Sequence, residues 1–282
     1  MAKYFSTLHN LIVILYIRVM CYHYSLTADK FEISTRYALE DEETIALMNE
    51  YDVVYHNDGF AHRAMPVITA DEPNKIQLYD WGLIPHWFTP KDNAVDLKGN
   101  KLTALQQARA FSNQTLNAIG ETVFEKPSFR NYIGKKRCLI PANGIFEWHH
   151  LDKKTKIPHY IYLKSKEIFS FGGIYSHWTD PETGEIVKTF SILTNPATPL
   201  MARIHNSKLR QPFILQRDAE GQWVDGHIKK EAVKDLILPL EDKHFTAHTI
   251  SKLITSRYES SNTPEVMQPY DYEGFVSLVD AA

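Results

Sequence analysis

Arg137-Cys138-Leu139-Ile140-Pro141-Ala142-Asn143-Gly144-Ile145-Phe146-Glu147-Trp148 holds two short apolar runs, 138–140 and 145–148, parted by Pro-Ala-Asn-Gly. Runs this short, bounded by turn formers and rich in aliphatic and aromatic side chains, read as buried strands. The same pattern continues at 159–163, 168–174 and 188–194. Asp180-Pro181-Glu182-Thr183-Gly184-Glu185 supplies a hairpin turn before the last of these, because proline presets φ and glycine tolerates positive φ. A β-meander is therefore expected from Arg137 onward.

Upstream, 65–69 and 76–79 read as strands around the turn-prone Asp71-Glu72-Pro73-Asn74, with Trp81-Gly82-Leu83-Ile84-Pro85-His86-Trp87 following. Residues 39–51 place Leu39, Ile45, Ala46 and Met48 among acids, the pattern of an amphipathic helix, and 101–118 is rich in the helix formers Leu, Ala and Gln. A short helix is expected at 196–204, a strand at 212–215 and a helix at 231–238, and the tail from Lys243 reads as proline-punctuated coil. No repeat or linker interrupts this order. The fold class is α+β: one domain over 20–282, built on a mixed, barrel-like β-sheet flanked by helices.

Composition narrows the function. The chain has 282 residues, 44% hydrophobic and 23% charged, enough apolar material for a sizeable core. Its net charge of −3 gives no field that would gather nucleic acid over the whole surface, so any such contact is local. The basic stretch 126–137, with Lys126, Arg130, Lys135, Lys136 and Arg137 and no acid, is the candidate. Two cysteines are too few for a disulfide framework and show no Cys/His spacing of a zinc site, which suits a reducing cytoplasm; no metal and no cofactor are expected.

Residues 1–19 carry the apolar run Leu11-Ile12-Val13-Ile14-Leu15-Tyr16-Ile17, closed at once by Arg18. It is far shorter than the ~20 residues that span a bilayer, and no small-residue cleavage pattern follows. An over-extended start or a leader is expected there, with no membrane partner.

Met20-Cys21 carries the chemistry. A start at Met20, followed by removal of that methionine, leaves Cys21 with a free α-amine beside its thiol. Such an aminothiol condenses with an aldehyde, first as a Schiff base and then as a thiazolidine. Three other segments suit an active site. Glu147 lies in an apolar strand beside Trp148, where burial raises a carboxyl pKa and fits it for proton transfer. His205 closes Met201-Ala202-Arg203-Ile204-His205, and Asn117 offers an amide just before Gly120-Glu121-Thr122. Singly these are weak signals.

Taken in order they resemble the SRAP family, the SOS response-associated peptidases. The resemblance rests on Met-Cys at 20–21, Trp-Gly-Leu-Ile-Pro-x-Trp at 81–87, Asn-Ala-x-x-Glu-Thr at 117–122, the 137–148 block, and Ile-His at 204–205 before Pro212. It runs from Met20 to about Pro269. It implies a cytoplasmic, nucleoid-associated protein, expected to be monomeric, that senses abasic sites in single-stranded DNA and crosslinks to them through its terminal cysteine. By that resemblance Cys21 is the nucleophile, Asn117 orients it, Glu147 shuttles protons and His205 acts on the sugar. Trp81, Trp87 and Trp148 are expected to stack on bases at the break in the strand, although Trp81 also reads as core. Many members carry arginines suited to phosphate where this chain has His23 and Ile119, so two phosphate contacts of the family are missing; His23 is still expected to bind DNA, and Lys126, Arg130 or Lys208 to supply the charge. Two alternatives stay open: a cysteine hydrolase using the same residues on an amide, and a non-covalent single-stranded DNA-binding module.

Overall fold

The computed structural model describes residues 21–39 and 41–279, so the expectations for residues 1–20 lie outside the described residues. The chain enters through β1 (His23–Leu26), two residues after Cys21. Helix α1 (Lys30–Tyr37) opens on a capping box: Asp29 accepts from the N–H groups of Phe31 and Glu32, and Glu32 accepts from the Asp29 N–H. Asp41 caps α2 (Glu42–Met48) in the same manner through the Thr44 N–H. Strands β2 (Val54–Asp58), β3 (Ala64–Thr69) and β4 (Gln77–Trp81) follow, then α3 (Ala104–Ser112), capped by Thr103, and β5 (Asn117–Ile119). The five expected strands follow as β6 (Arg137–Ala142), β7 (Gly144–His150), β8 (Lys156–Leu163), β9 (Phe169–Thr179) and β10 (Ile186–Pro196), but they do not form the expected meander: β3 and β9 take both edges of β6, and β7 and β8 pair with each other in a separate sheet. The chain finishes with α4 (Pro199–Ile204), β11 (Arg210–Pro212), α5 (Glu220–Val224), α6 (Lys230–Leu236) and β12 (Phe245–Thr249).

Five of these strands close on themselves. β4 pairs with β3, β3 with β6, β6 with β9 and β9 with β10, all antiparallel, and β10 returns to β4 in parallel. The result is the mixed barrel expected from the sequence, with no free edge within the ring. β5 joins β10 in parallel and β11 joins it antiparallel. A second sheet, in the order β12-β8-β7-β1-β2, packs beside it. Met65, Val67, Ile140, Phe171, Ile174 and Phe190 are buried in the core of this assembly. At its rim Arg137 is wholly buried, its guanidinium donating to the carbonyl oxygens of Ile133, Gly134, Trp223 and Asp225. A buried cation needs such partners, and this one is therefore closed to phosphate.

Local propensity is overridden in four places. The helix expected over 101–118 stops at Ser112, because the edge of β10 recruits Asn117–Ile119 as a strand, with Ile192 opposite Asn117. The tail expected as coil from Lys243 contains β12, which pairs along the open edge of β8 and buries Phe245 and Ala247. The helix over 39–51 is confined to Glu42–Met48, between the Asp41 cap and Asn49. The strand expected at 212–215 lies at Arg210–Pro212, with a single bridge beyond it from Ile214 to Phe171. Gly144 shows why a strand so close to the site needs glycine: a Cβ there would sit 2.1 Å from the Tyr160 ring.

Candidate active site

β1 lies antiparallel to β7, with Tyr24 opposite Ile145 and Ser25 opposite Gly144. Running back from that register, Cys21 arrives beside Glu147. Asn117, the first residue of β5, donates from Nδ2 to the Cys21 carbonyl oxygen at 2.9 Å. His205 is the C-cap of α4, its N–H donating to Met201 O at 2.7 Å. Its Nδ1 lies 3.6 Å from Glu147 Oε2 and 3.0 Å from the Arg210 carbonyl oxygen. The Cys21 Sγ approaches that same carbonyl at 3.9 Å. Strands from both sheets and the end of a helix thus bring together Cys21, Asn117, Glu147 and His205, four residues spread over 185 positions of sequence.

All four are buried, between 3% and 5% exposed. Burial raises the Glu147 pKa from its ordinary value, and the facing His205 opposes the shift. The Cys21 thiol is pushed up well above its ordinary value, first by burial and then by the Glu147 charge, while Arg210 pulls the other way. A carbonyl oxygen only accepts, so its contact with His205 assigns the proton to Nδ1 and leaves Nε2 as the basic nitrogen. Glu147 Oε1 and Asn117 Oδ1 are buried with no partner. Both atoms can accept a hydrogen bond from a group entering the site. The arrangement places a thiol against a carboxyl and imidazole pair able to take up and return protons.

The other expected contacts are scattered. Trp81 is 1% exposed, donates its indole N–H to Leu116 O and stacks on Phe190, so it is core and offers no face to a base. Trp87 is 43% exposed beside Phe111, and Trp148 is half-buried with His23 packed on its ring. Lys126, Arg130 and Lys208 are exposed. His23 is tied to His56 by a 2.9 Å contact between ring nitrogens, and His56 reaches Ser261 at 2.7 Å. Burial pushes both histidines down to about 4.

Arg210 escaped the sequence reading. Its carbonyl receives His205 and faces the thiol, while its guanidinium pairs with Glu121 and donates to Thr194 O. Its one signal was position, five residues after His205 on the approach to Pro212. Glu121 stood within the quoted Asn-Ala-x-x-Glu-Thr stretch but carried no assigned task.

The SOS response associated peptidase (SRAP) family model matches residues 20–257. The chain belongs to the SRAP family. Among SRAP relatives, the Bacillus subtilis abasic site processing protein YoqW is 33% identical over 222 residues, 78% of this chain and 88% of its own length. The abasic site processing protein HMCES of Pongo abelii is 28% identical over 68% of this chain and 56% of its own length. A Bacteroides thetaiotaomicron protein of solved structure superposes with a TM-score of 0.77 at 34% identity, covering 89% of this chain and all (100%) of that one. No helix among the described residues is long and apolar enough to cross a membrane.

Proposed function

We propose that this SRAP protein senses abasic sites in single-stranded DNA and caps them covalently through Cys21, once Met20 has been removed. The observation that carries the reading is the convergence of Cys21, Asn117, Glu147 and His205 in one buried cluster, in a chain whose relatives are named for abasic site processing. An abasic sugar in its open form presents an aldehyde. The Cys21 amine adds to that carbon and one water leaves, giving the Schiff base. The thiol then adds across the C=N bond, its sulfur to carbon and its proton to nitrogen, and the ring closes. Glu147, held toward its protonated form by burial, supplies and recovers these protons, and His205 acts on the sugar hydroxyls. Asn117 fixes the Cys21 carbonyl and hence the residue's orientation. Removal of Met20 is a hydrolysis within the same cluster.

Exposed Lys126, Arg130 and Lys208 supply phosphate contacts, with Trp87 and Trp148 as the stacking surfaces. The protein acts as a monomer in the cytoplasm, at the nucleoid. Incubation with abasic and intact single-stranded oligonucleotides tests the reading. The expected outcome is an SDS-resistant band with the abasic strand alone. Salt-sensitive binding to both strands with no such band would contradict it and favour a non-covalent binding module.

A further inference from the structure

Cys21, Glu147 and His205 each offer one ligand atom, and the three atoms lie within 4.8 Å of one another. Each side chain is at least nine-tenths buried, and Glu147 Oε1 has no hydrogen-bond partner. The thiol's approach to the Arg210 carbonyl at 3.9 Å is a weak contact. A thiolate, an imidazole and a carboxylate together form a donor set of borderline softness, the kind that favours Zn²⁺ over Mg²⁺ or Ca²⁺.

We propose that this cluster is also a zinc site, and that Zn²⁺ and the DNA aldehyde compete for the Cys21 aminothiol. Bonds of about 2.0–2.3 Å to a tetrahedral ion hold ligand atoms ~3.3–3.6 Å apart. For ligation through Nδ1, the 3.6 Å between Glu147 Oε2 and His205 Nδ1 is close to that spacing, and ligand atoms within 4.8 Å of one another need close by only roughly 1 Å. On binding, the Cys21 thiol gives its proton to solvent and its sulfur lone pair to the ion. Ligation through His205 Nε2 keeps the Nδ1 contact with Arg210 O, the outer-shell arrangement that orients metal-bound histidines; ligation through Nδ1 exchanges that contact for the metal bond. Once Cys21 is terminal, its amine and thiolate close a five-membered chelate and complete four protein ligands. The chelated amine has given its one lone pair to zinc and cannot add to the aldehyde carbon, so the ion holds the aminothiol and blocks the adduct reversibly. The zinc site stands on the cluster alone, whereas the competition rests on the proposed function.

Metal-free full-length protein titrated with Co²⁺ in place of Zn²⁺ tests the site without DNA. The expected result is one equivalent bound, with the charge-transfer absorption of a cobalt–thiolate bond that disappears when Zn²⁺ is added. Cys21→Ala should abolish that band, and Glu147→Gln, which keeps the side-chain shape, should weaken Co²⁺ by ~10-fold or more, the scale of losing even an outer-shell partner. Cys138→Ala should leave the band unchanged. Absence of the band, or its persistence in Cys21→Ala, would overturn the site. Preincubation with Zn²⁺ should suppress crosslinking and a chelator should restore it; undiminished crosslinking by the zinc-loaded protein would overturn the competition. A cobalt band in protein that never crosslinks abasic DNA would leave the zinc site standing and remove the proposed function instead.

Discussion

Cys21 and Cys138 are both buried thiols raised by burial well above the ordinary value, yet their surroundings are opposite. Cys138 sits on β6 of the barrel, 0% exposed, and burial is the one cause of its shift. A Cβ added to Gly173 opposite it would lie 3.1 Å from its sulfur, so the space is filled. Cys21 lies where the two sheets meet, with a carboxyl, an imidazole, an amide and a guanidinium around it. Burial alone leaves a thiol inert, because the thiolate is the nucleophile and nothing in an apolar core takes its proton. What separates the two cysteines is the presence of groups that move protons.

The largest test of that contrast is to remove each thiol in turn. Cys21→Ala should abolish the covalent adduct, read as the SDS-resistant band, while gel-shift binding to single-stranded DNA persists. Cys138→Ala should crosslink at the wild-type rate, with its cost appearing as lowered thermal stability. An adduct lost in Cys138→Ala and kept in Cys21→Ala would reverse the assignment.

Next in size is the proton machinery around Cys21. Glu147→Gln keeps shape and loses the exchangeable proton, and His205→Ala removes the group beside it. Each should slow crosslinking by ~100-fold or more on protein whose terminus is confirmed as Cys21. Single-turnover rates across pH should also lose, in Glu147→Gln, the limb set by the buried carboxyl. Wild-type rates in both would reduce the pair to structural residues.

The fold's cost for holding that carboxyl offers a smaller effect of opposite sign. Burial raises the folded pKa of Glu147, so its contribution to stability is fully present below the unfolded value and is lost as pH rises through the folded one. Glu147→Gln should therefore melt higher than the wild type at pH 8, by about 2 °C if ~1 kcal/mol is recovered in a chain of this size, and the gain should shrink toward pH 4. A lower Tm at pH 8 would show that the carboxylate is stabilised in place.

The strands β6 to β10 could be read from the sequence because short apolar runs around Asn143-Gly144 and Asp180–Gly184 leave little room for helix, but their pairing could not, since β6, β9 and β10 join β3 and β4 in the barrel while β7 and β8 leave for the second sheet. The strands β5 and β12 could not. Their partners lie far along the chain, and an open edge on β10 or β8, rather than local propensity, makes them strands. In the site, Cys21, Asn117, Glu147 and His205 stood out through residue type and motif. Arg210 was invisible because its contact to His205 and Cys21 is made by a backbone carbonyl, which any residue type supplies. Trp81 and Trp87 share one motif; Trp81 already read as the core candidate, and it packs on Phe190 in the core while Trp87 is exposed.

The smallest expected effect lies outside the thiol sites, in the buried His56 and His159 and the half-buried His23. Burial takes His23, His56 and His159 down to about 4. Their folded pKa values are depressed, so the unfolded chain binds protons first, and stability present above about pH 6.5 falls away as pH drops toward 4. The urea midpoint should decline across that window, and less steeply in His56→Gln. A flat midpoint between pH 6.5 and 4 would contradict neutral burial of these rings.

Intact-mass analysis of the protein from its native host, before and after incubation with an abasic oligonucleotide, tests the central claim most directly. The account predicts a chain beginning at Cys21, and an adduct equal to chain plus oligonucleotide less one water, with the added mass on the peptide that starts at Cys21. A chain that retains Met1 to Met20 and still forms the adduct, or an adduct mapped to any other residue, would contradict it.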